Sequence, residues 1–94
     1  MESFEFDSNK SSSNLQRHGV DFKQAQELWN APYVIIPAKN IVGENRSIIL
    51  GKIKEKIYAA VFTARKKNIR IISCHRADSK LEKIYRRSLY EKTF

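Results

Sequence analysis

Residues 69–85 read IRIISCHRADSKLEKIY, and the hydrophobic period of this run changes halfway along it. The first half alternates as a β-strand does, which places Ile69 and Cys74 on opposite sides. The second half repeats its apolar residues at helical spacing. We therefore predict a strand over about residues 69–75 and a helix over about residues 79–91, joined by a tight turn.

Four chemically active side chains flank this turn: an imidazole, a guanidinium, a carboxylate and a phenol. They belong to His75, Arg76, Glu82 and Tyr85. Such a group of side chains can hold a phosphate and transfer a proton. Each also has a structural interpretation. His75 and Arg76 suit an exposed strand end, Glu82 is spaced to form a capping box with Ser79, and Tyr85 falls on the apolar stripe of the helix.

The rest of the chain supplies further helices and strands around this run. The predicted elements are a short strand at 4–6, helices at 10–18 and 21–29, and strands at 33–36, 47–53 and 57–63. Ser8 or Asn9 is the expected cap of the first helix, and Asp21 with Gln24 forms a capping box for the second. The last three strands have short connections, which favour an antiparallel meander with 57–63 in the middle.

This order of elements predicts an α+β fold within a single domain covering residues 1–94. We expect two N-terminal helices and one C-terminal helix to pack on one face of a twisted, mainly antiparallel sheet. The strand at 57–63 is the most apolar and should lie in the interior of that sheet.

The net charge of +8 is unevenly distributed along the 94 residues. Residues 1–50 hold five Lys and Arg against six Asp and Glu, a net charge of −1, whereas residues 51–94 hold thirteen against four, a net charge of +9. A basic surface attracts phosphates and releases counterions when it binds them, so nucleic acid is the first partner to consider. A solvated basic face or a docking surface for an acidic protein explains the charge equally well.

Cysteine content and hydropathy narrow the class of protein. The single cysteine, Cys74, excludes an intramolecular disulfide and a cysteine metal cluster. No apolar run approaches the length of a membrane span, and the N-terminus is acidic and polar. We therefore expect a soluble cytoplasmic protein with no membrane partner. Because a Gly-rich phosphate loop, zinc-ligand spacing and a Ser-His-Asp arrangement are all missing from the sequence, we expect neither a cofactor nor a metal.

Short motifs of mixed polar and apolar residues are spread along nearly the whole chain. They are Phe6-Asp7, Lys10, Asn14, Arg17-His18-Gly19-Val20, Phe22, Ala25, Trp29, Gly43-Glu44, Arg46, Gly51, Thr63, Arg65, Ile69-Arg70-Ile71-Ile72-Ser73, Ala77, Glu82 and Tyr85. In this order and spacing they resemble the BrnT toxin family, RelE-like ribonucleases that are paired with BrnA antitoxins. The chain departs from the family at His75, where the family usually has an arginine.

The resemblance implies a RelE-like fold and a metal-independent endoribonuclease, in which the ribose 2′-hydroxyl attacks the adjacent phosphate of RNA. It also implies a BrnA-like antitoxin that covers the active face and binds DNA, so that DNA is only an indirect partner. For this activity we expect His75, Arg76, Glu82 and Tyr85 to be the catalytic residues. We expect Arg46, Arg65, Arg70 and His18 to bind the substrate.

Alternatives to these roles follow from the same residues. Arg70 can pair across the sheet with a carboxylate such as Glu44, and His18 can be a helix-end residue packed on the sheet, where the helix dipole favours a cation. For the whole protein, the alternative is a catalytically degenerate binding module that acts as a repressor subunit or an RNA binder. The histidine at position 75 is the feature that separates the enzyme from this alternative.

Overall fold

The computed structural model describes residues 3–38 and 45–90. Their elements, in chain order, are β1 (Ser3–Glu5), α1 (Ser8–His18), α2 (Phe22–Ala25), a 3₁₀ helix (Gln26–Asn30), β2 (Val34–Pro37), β3 (Ser47–Ile53), β4 (Lys56–Arg65), β5 (Asn68–Arg76) and α3 (Ser79–Tyr90). Within these ranges no helix is long and apolar enough to cross a membrane.

The five strands form one mixed sheet in the order β1-β5-β4-β3-β2. Neighbouring strands are antiparallel except β1, which runs parallel to β5. The antiparallel meander of β3, β4 and β5 is confirmed, and β4 lies in the interior of the sheet as predicted. The result is an α+β fold.

Side-chain caps fix the starts of the two N-terminal helices. The Asp7 carboxylate accepts the Lys10 N–H at 3.0 Å, so Asp7 is the cap in place of the predicted Ser8 or Asn9, and α1 begins at Ser8. This hydrogen bond holds the pKa of Asp7 below its ordinary value. The capping box of Asp21 and Gln24 is confirmed. The predicted second helix is shorter than expected, because α2 tightens into the 3₁₀ helix after Ala25.

Helices cover both faces of the sheet. On one face Ile49 packs with Phe22 and Leu28 from the N-terminal helices. On the other face Leu50 packs with Tyr85 and its neighbours on α3. Ile49 and Leu50 are both fully buried although adjacent strand residues point to opposite faces. The prediction that all helices lie on one face is therefore wrong for α3, because β3 carries apolar side chains on both faces and each face needs cover.

The ladder between β4 and β5 contains an irregularity with consequences for both faces. Ile71 pairs with Phe62, but Ser73 pairs with Val61, the preceding residue of β4. Ile72 is therefore an extra residue in β5, as in a β-bulge. A bulge reverses the side-chain alternation of the residues that follow it.

The bulge makes the predicted alternation wrong beyond Ile71. Cys74 is buried in the same core cluster as Ile69, not on the opposite side. His75 pairs with Ala59 and so shares the face that α3 covers in part. Without the extra residue, His75 would point into the core beneath the N-terminal helices.

Candidate active site

The C-terminal half of β5 lies beside α1, where the side chain of Asn14 joins the two elements. β1 pairs with β5 only from Asn68 to Arg70, so it does not cover the later residues. There the Asn14 amide donates to the Cys74 carbonyl at 2.6 Å and to the Val20 carbonyl at 2.8 Å. Its oxygen accepts the Cys74 N–H at 3.2 Å. The buried Asn14 therefore takes the place of a neighbouring strand and fixes α1 against β5.

A cavity of about 230 Å³ lies between α1 and β5. Its lining residues are Lys10, Ser13, Asn14, Arg17, His18, Phe22, Ile72 and Ser73. This described lining contains a lysine and an arginine and no carboxylate. The cavity therefore suits an anion such as a phosphate group.

Two histidines meet beside this cavity. The ring centroids of His18 and His75 are 5.9 Å apart, and the rings are tilted by 50°. His75 is half-buried and His18 is exposed. The Nδ1 atom of His75 lies 2.8 Å from the Arg76 carbonyl oxygen. Because a carbonyl oxygen can only accept, Nδ1 carries the proton, and Nε2 of the neutral ring keeps a lone pair.

Arg76 contributes to this site through its backbone and not through its guanidinium. It pairs with Tyr58, and its guanidinium carbon lies 6.0 Å from the centroid of the Tyr58 ring. Adjacent strand residues point to opposite faces, so the side chains of His75 and Arg76 diverge. The structure therefore does not bring the Arg76 guanidinium to the same side of the strand as the His75 ring.

Glu82 and Tyr85 do not join the histidines either. Tyr85 is 1% exposed, and its hydroxyl donates to the Pro32 carbonyl at 3.2 Å. Burial raises the pKa of this phenol. Glu82 accepts a hydrogen bond from Arg86 at 3.0 Å on the outer side of α3. The cap predicted at Ser79 is supplied instead by Asp78, whose carboxylate accepts the Leu81 N–H.

The predicted substrate-binding arginines lie at the opposite end of β5. Arg65 and Arg70 approach the Glu5 carboxylate at 3.9 and 3.7 Å. Arg70 therefore pairs with a carboxylate as its structural interpretation required, although Glu5 replaces the suggested Glu44, which lies outside the described residues. Arg46 is half-buried immediately before β3, and its carbonyl accepts the Ala38 N–H. These arginines are not part of the cavity lining.

Of the predicted site residues, the structure thus brings His18 and His75 together. It adds Lys10 and Arg17, to which the sequence interpretation gave no role. Their signal was present, because Lys10, Asn14 and Arg17 recur at helical spacing and so share one side of α1. In the described ranges, no three His, Cys, Asp or Glu side chains are placed to share a metal ion.

Comparisons with known proteins agree with this fold. A family model described as "Ribonuclease toxin, BrnT, of type II toxin-antitoxin system" matches residues 6–80. The crystal structure of the Brucella abortus ribonuclease toxin BrnT superimposes with a TM-score of 0.68 at 22% sequence identity, covering 84% of this chain and 100% of that one. The comparison with curated proteins gives no match. The family match spans most of the sequence, and the chain belongs to the BrnT family of ribonuclease toxins of type II toxin-antitoxin systems.

Proposed function

We propose that this BrnT family member is a metal-independent, RelE-like endoribonuclease in which His75 transfers the proton of the attacking hydroxyl. The observation that supports this role is the hydrogen bond from Nδ1 of His75 to the Arg76 carbonyl. It orients the ring and leaves the Nε2 lone pair available. Nε2 then removes the proton from a ribose 2′-hydroxyl as its oxygen attacks the adjacent phosphorus.

The charge that develops on the phosphoryl oxygens needs cations nearby. Lys10 and Arg17 line the cavity next to the histidines and are suited to this role. A guanidinium can hold a phosphate through two parallel hydrogen bonds, whereas the lysine acts as a point charge. Together they supply the charge stabilisation that a metal ion supplies in other nucleases.

Neighbouring nucleotides can extend along the sheet toward Arg65 and Arg70. His75 lies five positions after Arg70 along β5, which is roughly 16 Å at about 3.3 Å per strand residue. In our proposal these arginines, with Arg46, hold phosphates away from the scissile bond. The contact of Arg65 and Arg70 with Glu5 would be exchanged for contact with RNA.

A rate measurement over pH tests His75, using a defined RNA in excess EDTA. His75→Ala should lose on the order of 10²–10⁴-fold in rate, the usual contribution of one general base. Parent cleavage should rise with pH as the general base loses its proton. His75→Arg should remove that rise and keep phosphate affinity, because arginine stays protonated.

The matched control is Gln16→Ala, an exposed α1 position outside the cavity lining, which should cleave at the parent rate. Undiminished cleavage by His75→Ala would remove His75 from the mechanism. Dependence of the parent on added divalent metal would contradict metal independence. No cleavage by the parent, with tight RNA binding retained, would favour the degenerate binding module, for which the histidine at the family's arginine position is the motivating observation.

We further propose a BrnA-like antitoxin as protein partner, with DNA bound only through that partner. The basic C-terminal half should make RNA binding weaken steeply with salt, because counterions are released on binding. A complex with the antitoxin should resist moderate salt, since the buried centre of protein interfaces is apolar. Equal salt dependence of the two complexes would contradict an apolar interface.

A further inference from the structure

The second histidine of the pair has no role in the proposal above. His18 ends α1, is exposed, and lines the same cavity as Lys10 and Arg17. Its ring lies 5.9 Å from the ring of His75. We propose that His18 is the general acid that protonates the leaving 5′ oxygen. This inference rests on the proposed ribonuclease activity and assigns it a second catalytic residue.

The reaction requires an acid and a base on different sides of the phosphorus. In an in-line displacement the attacking and leaving oxygens stand opposite each other, so one group cannot serve both at once. Each hydrogen bond to these oxygens spans about 2.7–3.0 Å between heavy atoms. Two rings 5.9 Å apart and not stacked leave each oxygen within reach of a different imidazole.

The neighbouring side chains leave His18 as the best acid. His75 is oriented as the base by its Nδ1 hydrogen bond. An arginine stays protonated in proteins, and a lysine ordinarily gives up its proton only near about pH 10. Neither Arg17 nor Lys10 is therefore suited to release a proton at neutral pH. An imidazolium is suited, because histidine changes charge close to physiological pH.

Within the described ranges, the charges near the pair come from two elements. α1 contributes Lys10, Arg17 and its own C-terminal end, which bears the partial negative charge of the helix dipole. β5 contributes Arg76, which adjoins His75 but whose guanidinium points away from it, over the Tyr58 ring of β4.

The proposed step balances without any further reactant. The 2′ oxygen bonds to phosphorus while its proton passes to Nε2 of His75. The bond from phosphorus to the 5′ oxygen breaks, and that oxygen takes a proton from His18. The products are a 2′,3′-cyclic phosphate and a 5′-hydroxyl end. Proton exchange with water returns both histidines to their starting states.

A leaving group that needs no proton distinguishes this role from a structural one. The test compares two RNAs of the same sequence, one natural and one with sulfur in place of the scissile 5′ oxygen. His18→Gln, which keeps a hydrogen-bond donor but cannot transfer a proton, should slow the natural RNA on the order of 10²–10⁴-fold. It should slow the sulfur-linked RNA by less than about tenfold, because a thiolate leaves unprotonated.

Parallel measurements separate the acid from the base. His75→Ala should slow both RNAs, since both need the 2′ proton removed. In the pH profile, His18→Gln should lose the falling alkaline limb, where the acid has lost its proton, and keep the rising limb. Affinity for an uncleavable 2′-deoxy analogue should match that of the parent, as should the thermal unfolding midpoint. Gln16→Ala should match the parent with both RNAs.

Three results would overturn the inference. Equal slowing of the two RNAs by His18→Gln would show that His18 positions a group or binds RNA. Parent-like cleavage by His18→Gln would remove His18 from the reaction. A parent protein that cleaves neither RNA would overturn the proposed function itself, and with it the acid role.

Discussion

The end of β5 and the start of α3 adjoin in sequence, and both hold side chains with catalytic potential. At the end of β5, His75 is half-buried beside His18 and a cavity with a cationic lining. On α3, Tyr85 is 1% exposed with its hydroxyl on the Pro32 carbonyl, and Glu82 pairs with Arg86. The contrast teaches that a reactive side chain needs both exposure, which Tyr85 lacks, and a place beside the cavity, which Glu82 lacks. Residues on the apolar stripe of an amphipathic helix are buried against the core, so they are not exposed to a substrate.

The largest effect expected from this contrast is on stability at Tyr85. Tyr85→Ala removes a buried aromatic ring and should lower the free energy of unfolding by about 3–5 kcal/mol. Tyr85→Phe keeps the ring and removes the hydroxyl, whose hydrogen bond to Pro32 is worth about 1 kcal/mol, and it should keep full cleavage. Urea unfolding and an RNA cleavage assay measure the two quantities. A large loss of cleavage by a stable Tyr85→Phe variant would show that the Tyr85 hydroxyl takes part in the reaction.

Asn14 should show the next largest effect, on the β5 side of the comparison. Asn14→Ala leaves the Cys74 N–H and the Cys74 and Val20 carbonyls without their partner. We expect a loss of roughly 2–3 kcal/mol in urea unfolding, because buried polar groups become unsatisfied. Cleavage should fall as well, since α1 holds His18. Ser12→Ala, at an exposed position of α1, is the control and should stay within about 0.5 kcal/mol.

On β5, the burial of Cys74 can be tested through the pH dependence of the free energy of unfolding. Burial raises the pKa of its thiol from 9.0 to about 12. Because the folded pKa lies above the unfolded one, unfolding releases a proton in this window and stability falls as pH rises from 9 toward 12. The slope is at most about 1.4 kcal/mol per pH unit. The free energy of unfolding is measured between pH 9 and pH 12 for the parent and for Cys74→Ala. The difference between the two curves gives the contribution of the Cys74 thiol. Fast labelling of the folded thiol at pH 8 would contradict this burial.

The smallest effect is expected at Glu82. Its i,i+4 pair with Arg86 is solvent-exposed and contributes no more than about 0.5 kcal/mol. Glu82→Gln should therefore unfold near the parent midpoint and cleave RNA within about twofold of the parent rate. A cleavage loss of more than tenfold with unchanged stability would contradict the structural assignment of Glu82.

The sequence by itself determined most of the fold and the chemical nature of the protein. Alternation and short connections located the meander, and the bounds of β3 match the prediction at both ends. The basic C-terminal half and the family motifs indicated a ribonuclease toxin, in agreement with the family match. Local rules succeed here because caps, periodicity and turn lengths depend on residues close together in the chain. The packing of helices on both faces of the sheet could also have been predicted, because Ile48, Ile49 and Leu50 are consecutive apolar residues of one strand.

Only the tertiary structure decided which reactive side chains share a site. Because Ile72 is an extra residue in β5, the Cys74 side chain points into the core and the His75 side chain points out of it. The sequence of residues 69–76 contains no local pattern that predicts this bulge. The meeting of His18 with His75 depends on Asn14, whose partner Cys74 lies 60 residues away. Strand register and helix docking are set by the packing of the whole core, so they cannot be read from the periodicity of any one segment.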